Sequence, residues 1–590
     1  MSENNQKSYL KIQGEIFRRR HGCLSCCCSY FWLICAICAI PALIYYDAIL
    51  ETLMYPFFTL TPGTLFYQQF KEPTIPVYFS IYLWNVTNSD QFTFKPARTS
   101  LGKPTWTFPK PHVEQVGPFI FQEIWIKDKI VFVTEDGTIF TEEEVESQKI
   151  KKSKLKRVRA RQKYDYVPIY DPNDTATGLD PFSNEYNLSV ANVLAVGLPG
   201  LIEYELRNFP NLLPLGRMLV NDVLKKSESL PVLKNIKPFD YLIGYQEPML
   251  DWLHETCQNN PVCEKSEFLM NLPQKFGLLM LKNTALGWPY FEWDTGVDDI
   301  NQYNMFTGFA GMRGIAEYNY RNGIFPKELP YWPKDSPYGN CNNLQGTDGS
   351  SSGTRIDKLV KNDDPADRQI HFYSADTFKD AWADYAGKVK SPNYQFTSYR
   401  FEVLEDAFRN CSVNPINNCY CYGNYFWDSV WGQSTYLNCL VLDGGLLVDI
   451  GYYGIPLLLS SPHFLYGPSL LEIASGNFTP NFDDHGTYLE FEGISGVVLK
   501  AGKKAQQNVV AIQNDHYDIL SNVDRINNTY IIPFLWLEES TEITKDFEFQ
   551  IYLGFVIGSS FLYWIWPVLL GLACVLIPTV GFLSYYKQEK

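Results

Sequence analysis

Two short stretches of the chain contain residue types that could support hydrolysis. Gly349-Ser350-Ser351-Ser352-Gly353 has the spacing of a G-x-S-x-G nucleophile motif. Such a serine needs a strand before it and a helix after it, whereas both flanks here are polar and loop-like. Asp483-Asp484-His485 has the residue types of a metal site, but one local triplet is more often structural. We therefore expect no catalytic residues, no metal and no cofactor.

The fourteen cysteines indicate a division between compartments. Four lie at the start of an apolar run, close to Arg18-Arg19-Arg20: Cys23, Cys26, Cys27 and Cys28. Cysteines at a membrane edge are typical palmitoylation sites, and unmodified thiols are the alternative. Seven more lie between two long apolar runs: Cys257, Cys263, Cys341, Cys411, Cys419, Cys421 and Cys439. In an oxidising compartment most of them pair, and the odd number leaves one over.

Six N-x-S/T sequons also lie between the apolar runs: Asn85, Asn173, Asn187, Asn410, Asn477 and Asn527. Their position predicts glycosylation of this region, although single sequons also arise by chance. Asn410 has a cysteine as its middle residue and the Asn477 sequon is followed by Pro480, so both are poorer acceptors.

The two apolar runs are long enough to cross a bilayer, which requires about 20 apolar residues. We predict transmembrane helices at 24–46 and 563–586, the second bounded by aromatic residues, with 549–562 as an apolar stalk. Basic residues precede the first run and follow the second, so the tails 1–23 and 587–590 are predicted to be cytosolic. The region 47–562 is then an extracytosolic, glycosylated ectodomain.

Composition excludes several classes of protein. With 19% charged and 16% aromatic residues, the chain is too apolar for disorder and too polar for a polytopic transporter. The net charge is −15 and both tails are basic, so the ectodomain is strongly acidic. An acidic ectodomain argues against nucleic acid as a partner.

Periodicity predicts an α+β ectodomain with antiparallel strands. Strands are expected at Val77–Trp84, Tyr488–Glu492, Gly496–Lys500 and Tyr530–Leu537, and a hairpin at 130–140 around Glu135-Asp136-Gly137. Helices are expected at 211–229, with one apolar face, and at Asp376–Tyr385. The run Lys149–Lys163, with nine basic residues, is expected to be a solvated loop or a docking patch for anionic ligands.

Several longer motifs are specific enough to compare with a known family. The second half of the ectodomain contains Ser461-Pro462-His463-Phe464-Leu465-Tyr466, Pro480-Asn481, His485 and Tyr530-Ile531-Ile532-Pro533-Phe534-Leu535-Trp536-Leu537-Glu538. The first half contains Trp84-Asn85-Val86-Thr87, Gly117-Pro118-Phe119-Ile120-Phe121 and Gly244-Tyr245-Gln246-Glu247-Pro248. In order and spacing these motifs closely resemble the class B scavenger receptor family. That family includes a fatty-acid translocase, a high-density-lipoprotein receptor and a lysosomal integral membrane protein.

The resemblance implies a large ectodomain with a distorted antiparallel β-barrel, an apical helical bundle and an apolar lipid tunnel, anchored by two transmembrane helices. It also implies the disulfides Cys341–Cys419 and Cys421–Cys439. A third disulfide, Cys257–Cys263, is expected because the two cysteines are close in sequence. This scheme leaves Cys411 free.

The resemblance also implies a ligand entrance at the end of the 211–229 helix. Lys226, with Lys225 beside it, aligns near an apical lysine used by lipid-binding members of the family. An ammonium at a tunnel mouth would capture the anionic head of a lipid while aromatic side chains receive its tail. The alternative is a solvated helix end whose lysines complement the helix dipole, and Glu228 adds a negative charge nearby.

Three functions are therefore compared. The first is a scavenger-receptor-like protein that binds fatty acids, phospholipids or sterols, or lipoprotein and other anionic ligands, as a monomer or an oligomer. The second is a lysosomal or endosomal cargo-sorting receptor or lipid exporter. Tyr9-Leu10-Lys11-Ile12 fits an endocytic signal, but the expected apex, 211–245, lacks the histidine of a pH switch. The third, an ecto-esterase, is disfavoured. The expected location is the plasma membrane or the endosomal and lysosomal membrane.

Overall fold

We describe the fold from a computed structural model of the chain. The structure describes residues 31, 33–35, 37–96, 105–171, 178–206, 209–258, 260–265, 275–279, 290–309, 356–361, 369–374, 379–410, 412–415, 417, 441–448, 457–474, 476–523 and 529–588. These residues belong to two compact units, one from the terminal segments 1–58 and 545–590 and the other from 59–544.

The larger unit is built on one antiparallel sheet that contains fifteen of the described strands. Its path is β12-β11-β6-β4-β1-β21-β20-β19-β15-β14-β13, with β5 paired to β4, and β18, β17 and β16 continuing from β20. The strands of the larger unit are β1 Val77–Val86, β2 Thr93–Lys95, β3 Thr105–Thr107, β4 Val113–Thr134, β5 Ile139–Thr141, β6 Leu155–Pro168, β7 Leu188–Ala191, β8 Val232–Ile236, β9 Tyr245–Gln246, β10 Lys275–Phe276, β11 Tyr290–Asp294, β12 Phe306–Phe309, β13 Gln369–Ser374, β14 Lys379–Lys390, β15 Thr397–Glu402, β16 Val441–Leu442, β17 Gly445–Val448, β18 Leu457–Ser460, β19 Tyr488–Glu492, β20 Val498–Ile512 and β21 Thr529–Glu542.

The described helices are short in the larger unit and long at the C-terminus. They are α1 Tyr46–Phe58, α2 Leu65–Lys71, α3 Glu142–Ser147, α4 Val193–Glu205, α5 Leu213–Lys226, α6 Pro238–Ile243, α7 Pro248–Cys257, α8 Ile356–Lys361, α9 Pro468–Ile473, α10 Phe482–His485, α11 Lys545–Ile551 and α12 Gly558–Gln588. The mixed α and β composition and the large antiparallel sheet confirm that part of the predicted fold class.

The strands with the strongest apolar runs lie at the centre of the sheet. β1 pairs with β4 on one side and β21 on the other, and the side chains of Phe79, Ile81 and Leu83 are buried. The strands predicted from these runs are confirmed, and most are longer than predicted. The predicted hairpin is also confirmed, since β4 and β5 pair around a turn in which Gly137 has a φ of +84°.

Two predictions of local structure are wrong. The segment predicted as a helix at Asp376–Tyr385 contributes its described part to strand β14, which pairs with β13 and β15. Alanines around Trp382 favour a helix locally, but pairing on both sides overrides that preference. The basic run Lys149–Lys163 is a loop only up to Lys154, because from Leu155 onward it forms β6, an internal strand between β4 and β11.

The terminal unit brings the two ends of the chain together. The Tyr46 hydroxyl donates to the Ser559 carbonyl at 3.0 Å, and the Tyr46 and Tyr563 rings meet edge to face at 5.5 Å. Further along, the rings of Phe58 and Phe555 lie 5.1 Å apart. Helix α1 therefore packs along the C-terminal helical segment.

One helical segment of the described chain, Lys545–Thr579, is long and apolar enough to cross a membrane. The predicted stalk at 549–562 is part of this segment, as helix α11, a π-helical stretch Tyr552–Ile557 and the start of α12. The apolar helix Leu33–Ile44 is shorter, and most of the N-terminal half of the predicted first span lies outside the described residues.

Candidate ligand-binding site

Helix α5 carries both candidate lysines and is fixed by its apolar face. Leu219, Val220, Val223 and Leu224 are buried, as their spacing predicts. Gly216 allows close contact with α4, because a Cβ atom there would lie 2.5 Å from Leu206 Cδ1. The helix is shorter than predicted, since Leu212 is its N-cap and Ser227 its C-cap.

A buried polar cluster also holds α5. The Glu203 carboxylate on α4 accepts hydrogen bonds from Arg217 Nε at 2.7 Å and Nη2 at 3.2 Å, and from the Tyr517 hydroxyl at 2.8 Å. The Glu203 side chain is 2% exposed. One turn further along α5, Asn221 donates to the His516 carbonyl and accepts from the Asp518 amide. The segment that follows β20 is thus bonded to α4 through Glu203 and to α5 through Asn221.

The two lysines at the end of α5 differ in their surroundings. Lys226 Nζ forms an ion pair with Asp222 at 2.7 Å and lies 5.5 Å from the centre of the Trp252 ring on α7. Lys225 is exposed, and the described structure gives it no ion pair. Lys225 is therefore the more available cation of the two.

Apolar side chains are exposed on the same face of α5. Leu215 and Met218 precede Asp222 at helical spacing and are 39% and 68% exposed. Trp252, beside Lys226, is 38% exposed. Cationic and apolar groups on one exposed face can bind a ligand that is both anionic and apolar.

The arginines of the basic run are not available for docking anionic ligands, whereas the four lysines that precede β6 are exposed. Arg157 Nη1 and Arg159 Nε on β6 both bond to the Glu292 carboxylate, at 3.0 Å and 2.5 Å. Arg161 pairs with Asp128 on the opposite neighbouring strand at 2.5 Å. The arginines of β6 thus neutralise carboxylates of adjacent strands.

Of the predicted disulfides, the described residues test only one, and Cys257 is bonded to Cys263. This bond joins the end of α7 to the short turn after it. The other cysteines of the predicted pairs, the candidate free cysteine and the palmitoylation candidates lie outside the described residues: Cys341, Cys419, Cys421, Cys439, Cys411, Cys23, Cys26, Cys27 and Cys28.

The described sequons differ in exposure. Asn187 and Asn477 are exposed. Asn85 is half-buried on β1, and its Oδ1 accepts the Ser189 amide at 2.8 Å. Asn410 is half-buried, and its Oδ1 accepts the Ser412 amide at 2.9 Å. Asn173 and Asn527, like the 349–353 motif, lie outside the described residues.

A buried pair of histidines was not predicted as a functional site. The rings of His463 and His485 stack with their centres 4.2 Å apart, and both residues are at least 93% buried. The Trp536 ring packs edge-on against both of them. Both histidines occur in the motifs that carry the family resemblance, but their separation by 22 residues hides the contact.

The sequence also places His485 in the Asp483-Asp484-His485 triplet, which has the residue types of a metal site. Among the described residues, the structure has no group of three or more His, Cys, Asp or Glu residues placed to hold a metal ion. Asn481 instead caps α10, since its Oδ1 accepts the Asp484 amide at 2.8 Å, which accounts for the local spacing of these residues.

An antiparallel sheet with an exposed cationic and apolar helix, in a chain with one apolar helical segment long enough to cross a membrane, fits the class of membrane-anchored binding proteins. The model of the CD36 family matches residues 27–584, and the chain belongs to that family. Its relatives are membrane receptors and lysosomal membrane proteins.

Three relatives indicate the range of the family. Scavenger receptor class B member 1 of Bos taurus is 22% identical over 577 residues, which cover 98% of this chain and 92% of the relative. Lysosome membrane protein 2 of Homo sapiens is 24% identical, covering 82% of this chain and 79% of the relative. Sensory neuron membrane protein 2 of Ostrinia furnacalis is 22% identical, covering 82% and 78%.

Proposed function

We propose that the protein is a scavenger-receptor-like membrane glycoprotein that captures lipids or lipid particles at the exposed face of α5. The observation that carries this proposal is the combination of Lys225 and Lys226 with the exposed side chains of Leu215, Met218 and Trp252. Fatty acids and phospholipids offer an anion beside an apolar chain, which matches this face. Sterols and lipoprotein particles would use mainly its apolar part.

Apolar burial would supply most of the affinity. Each buried CH₂ group contributes about 0.8 kcal/mol, whereas an exposed ion pair contributes about 0–1 kcal/mol. The lysines would therefore act mainly on the rate of capture. We further propose that the sheet closes into a barrel and encloses an apolar tunnel through which lipid passes to the membrane.

The proposed topology has two spans, 24–46 and 563–586, with the tails 1–23 and 587–590 in the cytosol. It is supported by the contact between Tyr46 and Tyr563, because these residues are the predicted outer ends of the two spans. The ectodomain, 47–562, would carry the glycans and the disulfides Cys341–Cys419 and Cys421–Cys439. Palmitoylation of the four N-terminal cysteines would reinforce the anchor.

The test is uptake of a fluorescent long-chain fatty acid by cells expressing Lys225→Ala/Lys226→Ala. We expect initial uptake to fall about two- to fivefold at matched surface expression, because each lost ion pair is worth up to about 1 kcal/mol. Of the two single variants, Lys225→Ala should reduce uptake more than Lys226→Ala, since Asp222 already neutralises Lys226.

The matched control is Lys151→Ala/Lys154→Ala, which removes two exposed lysines from another surface of the same unit. Unchanged uptake in the α5 double variant, or an equal loss in the control, would contradict the proposed entrance.

A second candidate function is a cargo receptor or lipid exporter of endosomes and lysosomes. It is supported by the similarity to lysosome membrane protein 2 and by the Tyr9-Leu10-Lys11-Ile12 tetrad. Imaging of the tagged protein with a lysosomal marker separates the two, because steady-state signal at the plasma membrane would exclude this candidate.

A further inference from the structure

Hydrogen bonds fix the protonation of both buried histidines. The Thr479 amide donates to His463 Nδ1, and the Asn481 amide donates to His485 Nδ1, each at 3.1 Å. A backbone N–H can only donate, so each Nδ1 must keep its lone pair and each neutral ring carries its proton on Nε2. The His463 Nε2–H accordingly donates to Gln115 Oε1 at 2.7 Å, the same oxygen that accepts the Trp536 indole N–H.

Proton uptake is incompatible with this arrangement. A proton on either Nδ1 would face the amide proton that is now bonded to it, so one hydrogen bond must break. The stacked partner ring, 4.2 Å away, disfavours a second imidazolium while the pair stays buried. Burial lowers the pKa of His463 to about 4, and burial also lowers the pKa of His485.

Neighbouring charges moderate this effect without reversing it. Asp484 favours the protonated rings, but its carboxylate already accepts a hydrogen bond from Asn481 Nδ2 at 2.8 Å. From β20, the Lys504 ammonium opposes protonation of His485. Lys504 is itself held by the Asp484 carbonyl at 2.8 Å and the Asp483 carbonyl at 3.3 Å, and lies 3.9 Å from Glu538 on β21. Among the described residues, Tyr82 on β1 is a further titratable neighbour, close to Glu538 and Asp484.

The segment that depends on these two bonds is short and carries a sequon. It runs from Gly476 to Gly486, contains α10 and bears the exposed Asn477. Phe478 is the main apolar contact, and its ring lies 5.2 Å from Trp84 and 6.0 Å from His463. On the other side, the His463 backbone is held in a left-handed conformation, with a φ of +52°, and its amide donates to Gln506 Oε1.

We propose that His463 and His485 form an acid-operated latch, in which a proton taken up at either Nδ1 breaks its backbone hydrogen bond and releases the segment Gly476–Gly486 from the sheet. The latch would be closed at neutral pH and would open in an acidic compartment. It lies against the central strands of the sheet and is separate from the lysines of α5.

The size of the effect follows from proton linkage. A histidine whose pKa is lowered on burial stabilises the closed state above its free pKa of 6.5, and this stabilisation is lost as the pH falls towards 4. Between pH 7.4 and pH 5.0, protonation of His463 alone raises the opening equilibrium about 25-fold. Protonation of His485 adds to that factor.

Hydrogen–deuterium exchange of the full-length protein in detergent measures this opening. After correction for the intrinsic pH dependence of exchange, peptides from 476–486 should lose protection at least tenfold at pH 5.0, while β19 at Tyr488–Glu492 stays protected. A loss centred between pH 4 and 6.5 supports the latch. No selective loss, or a loss centred below pH 4, overturns it.

Asparagine keeps an oxygen near the position of Nδ1 but does not titrate, so His463→Asn/His485→Asn should retain the acceptors and abolish the pH dependence. The matched control is His112→Asn, at an exposed histidine, which should behave as wild type. The same acid response in the double variant would overturn the assignment to these histidines. If the double variant does not fold, the wild-type measurement decides alone. Opening centred between pH 4 and 6.5 supports the latch, and opening centred below pH 4 overturns it.

Discussion

Replacing Arg217 by methionine tests whether the buried cluster on α4 holds the candidate site in place. Methionine keeps much of the aliphatic volume but leaves Glu203, 2% exposed, with only the Tyr517 hydroxyl. Breaking a buried pair by removing one partner costs about 3–5 kcal/mol. Arg217 is 25% exposed, so water can reach part of the site and we expect a loss of about 3 kcal/mol in the free energy of unfolding.

A double-mutant cycle separates the ion pair from simple loss of packing. In Glu203→Gln/Arg217→Met the neutral amide can still accept from Tyr517, so we expect about 2 kcal/mol of the loss to be recovered. The assay is urea unfolding of the detergent-solubilised protein at pH 7.4, followed by tryptophan fluorescence. Arg217→Met should also slow lipid capture, because α5 carries both lysines.

The matched control is Arg409→Met, which breaks an exposed ion pair with Glu405 at 2.9 Å within one short helical turn. That pair should be worth less than about 1 kcal/mol. Equal losses for Arg217→Met and Arg409→Met, or strictly additive effects in the cycle, would refute the reasoning.

Three further predictions use the same unfolding assay. Gly216→Ala should cost about 1–3 kcal/mol despite the helix preference of alanine, because its Cβ would overlap Leu206. The control is Gly571→Ala, where a Cβ meets nothing within 4 Å. Equal losses of stability in the two variants would argue against close packing at Gly216. Burial raises the pKa of Glu247 from 4.5 to about 7, so the native state loses stability as the pH rises between these values. Glu247→Gln should therefore stabilise the protein by about 3 kcal/mol at pH 8 but not at pH 4.5, and a gain at both values would contradict a buried carboxylate. Cys257→Ser/Cys263→Ser opens a short loop and should cost about 2 kcal/mol, and an unchanged urea midpoint would show that the disulfide is dispensable.

The sequence was most informative where one side of an element is apolar over several residues. β1, β19 and β21 were predicted for this reason, and so was α5 with its buried Val220 and Leu224. These patterns are local, because burial of one face requires a repeat of about 2 or 3.6 residues whatever the partner is. The exposed face of α5 could be predicted from the same pattern.

Features that depend on distant partners could not be predicted in this way. β6 was expected to be a loop because its basic residues look solvated, and their carboxylate partner Glu292 is more than 130 residues away. The same holds for Glu203, whose hydrogen bond from Tyr517 forms only when the segment after β20 packs against α4 and α5. The histidine pair also depends on such packing, since stacking brings together residues from two separate motifs.

The alternating arginines of β6 have a consequence for how its neighbours align during folding. Arg159 is directly opposite Glu292 on β11, and Arg161 is directly opposite Asp128 on β4. A slip of one residue against β11 would turn the arginines to the other face and leave Glu292 buried without a counter-charge. A slip of two residues on the β4 side would place Arg159 or Lys163 opposite Asp128 and so keep a positive charge there. The charges on this strand thus select against slips of one residue, whereas the neighbouring apolar side chains must distinguish slips of two.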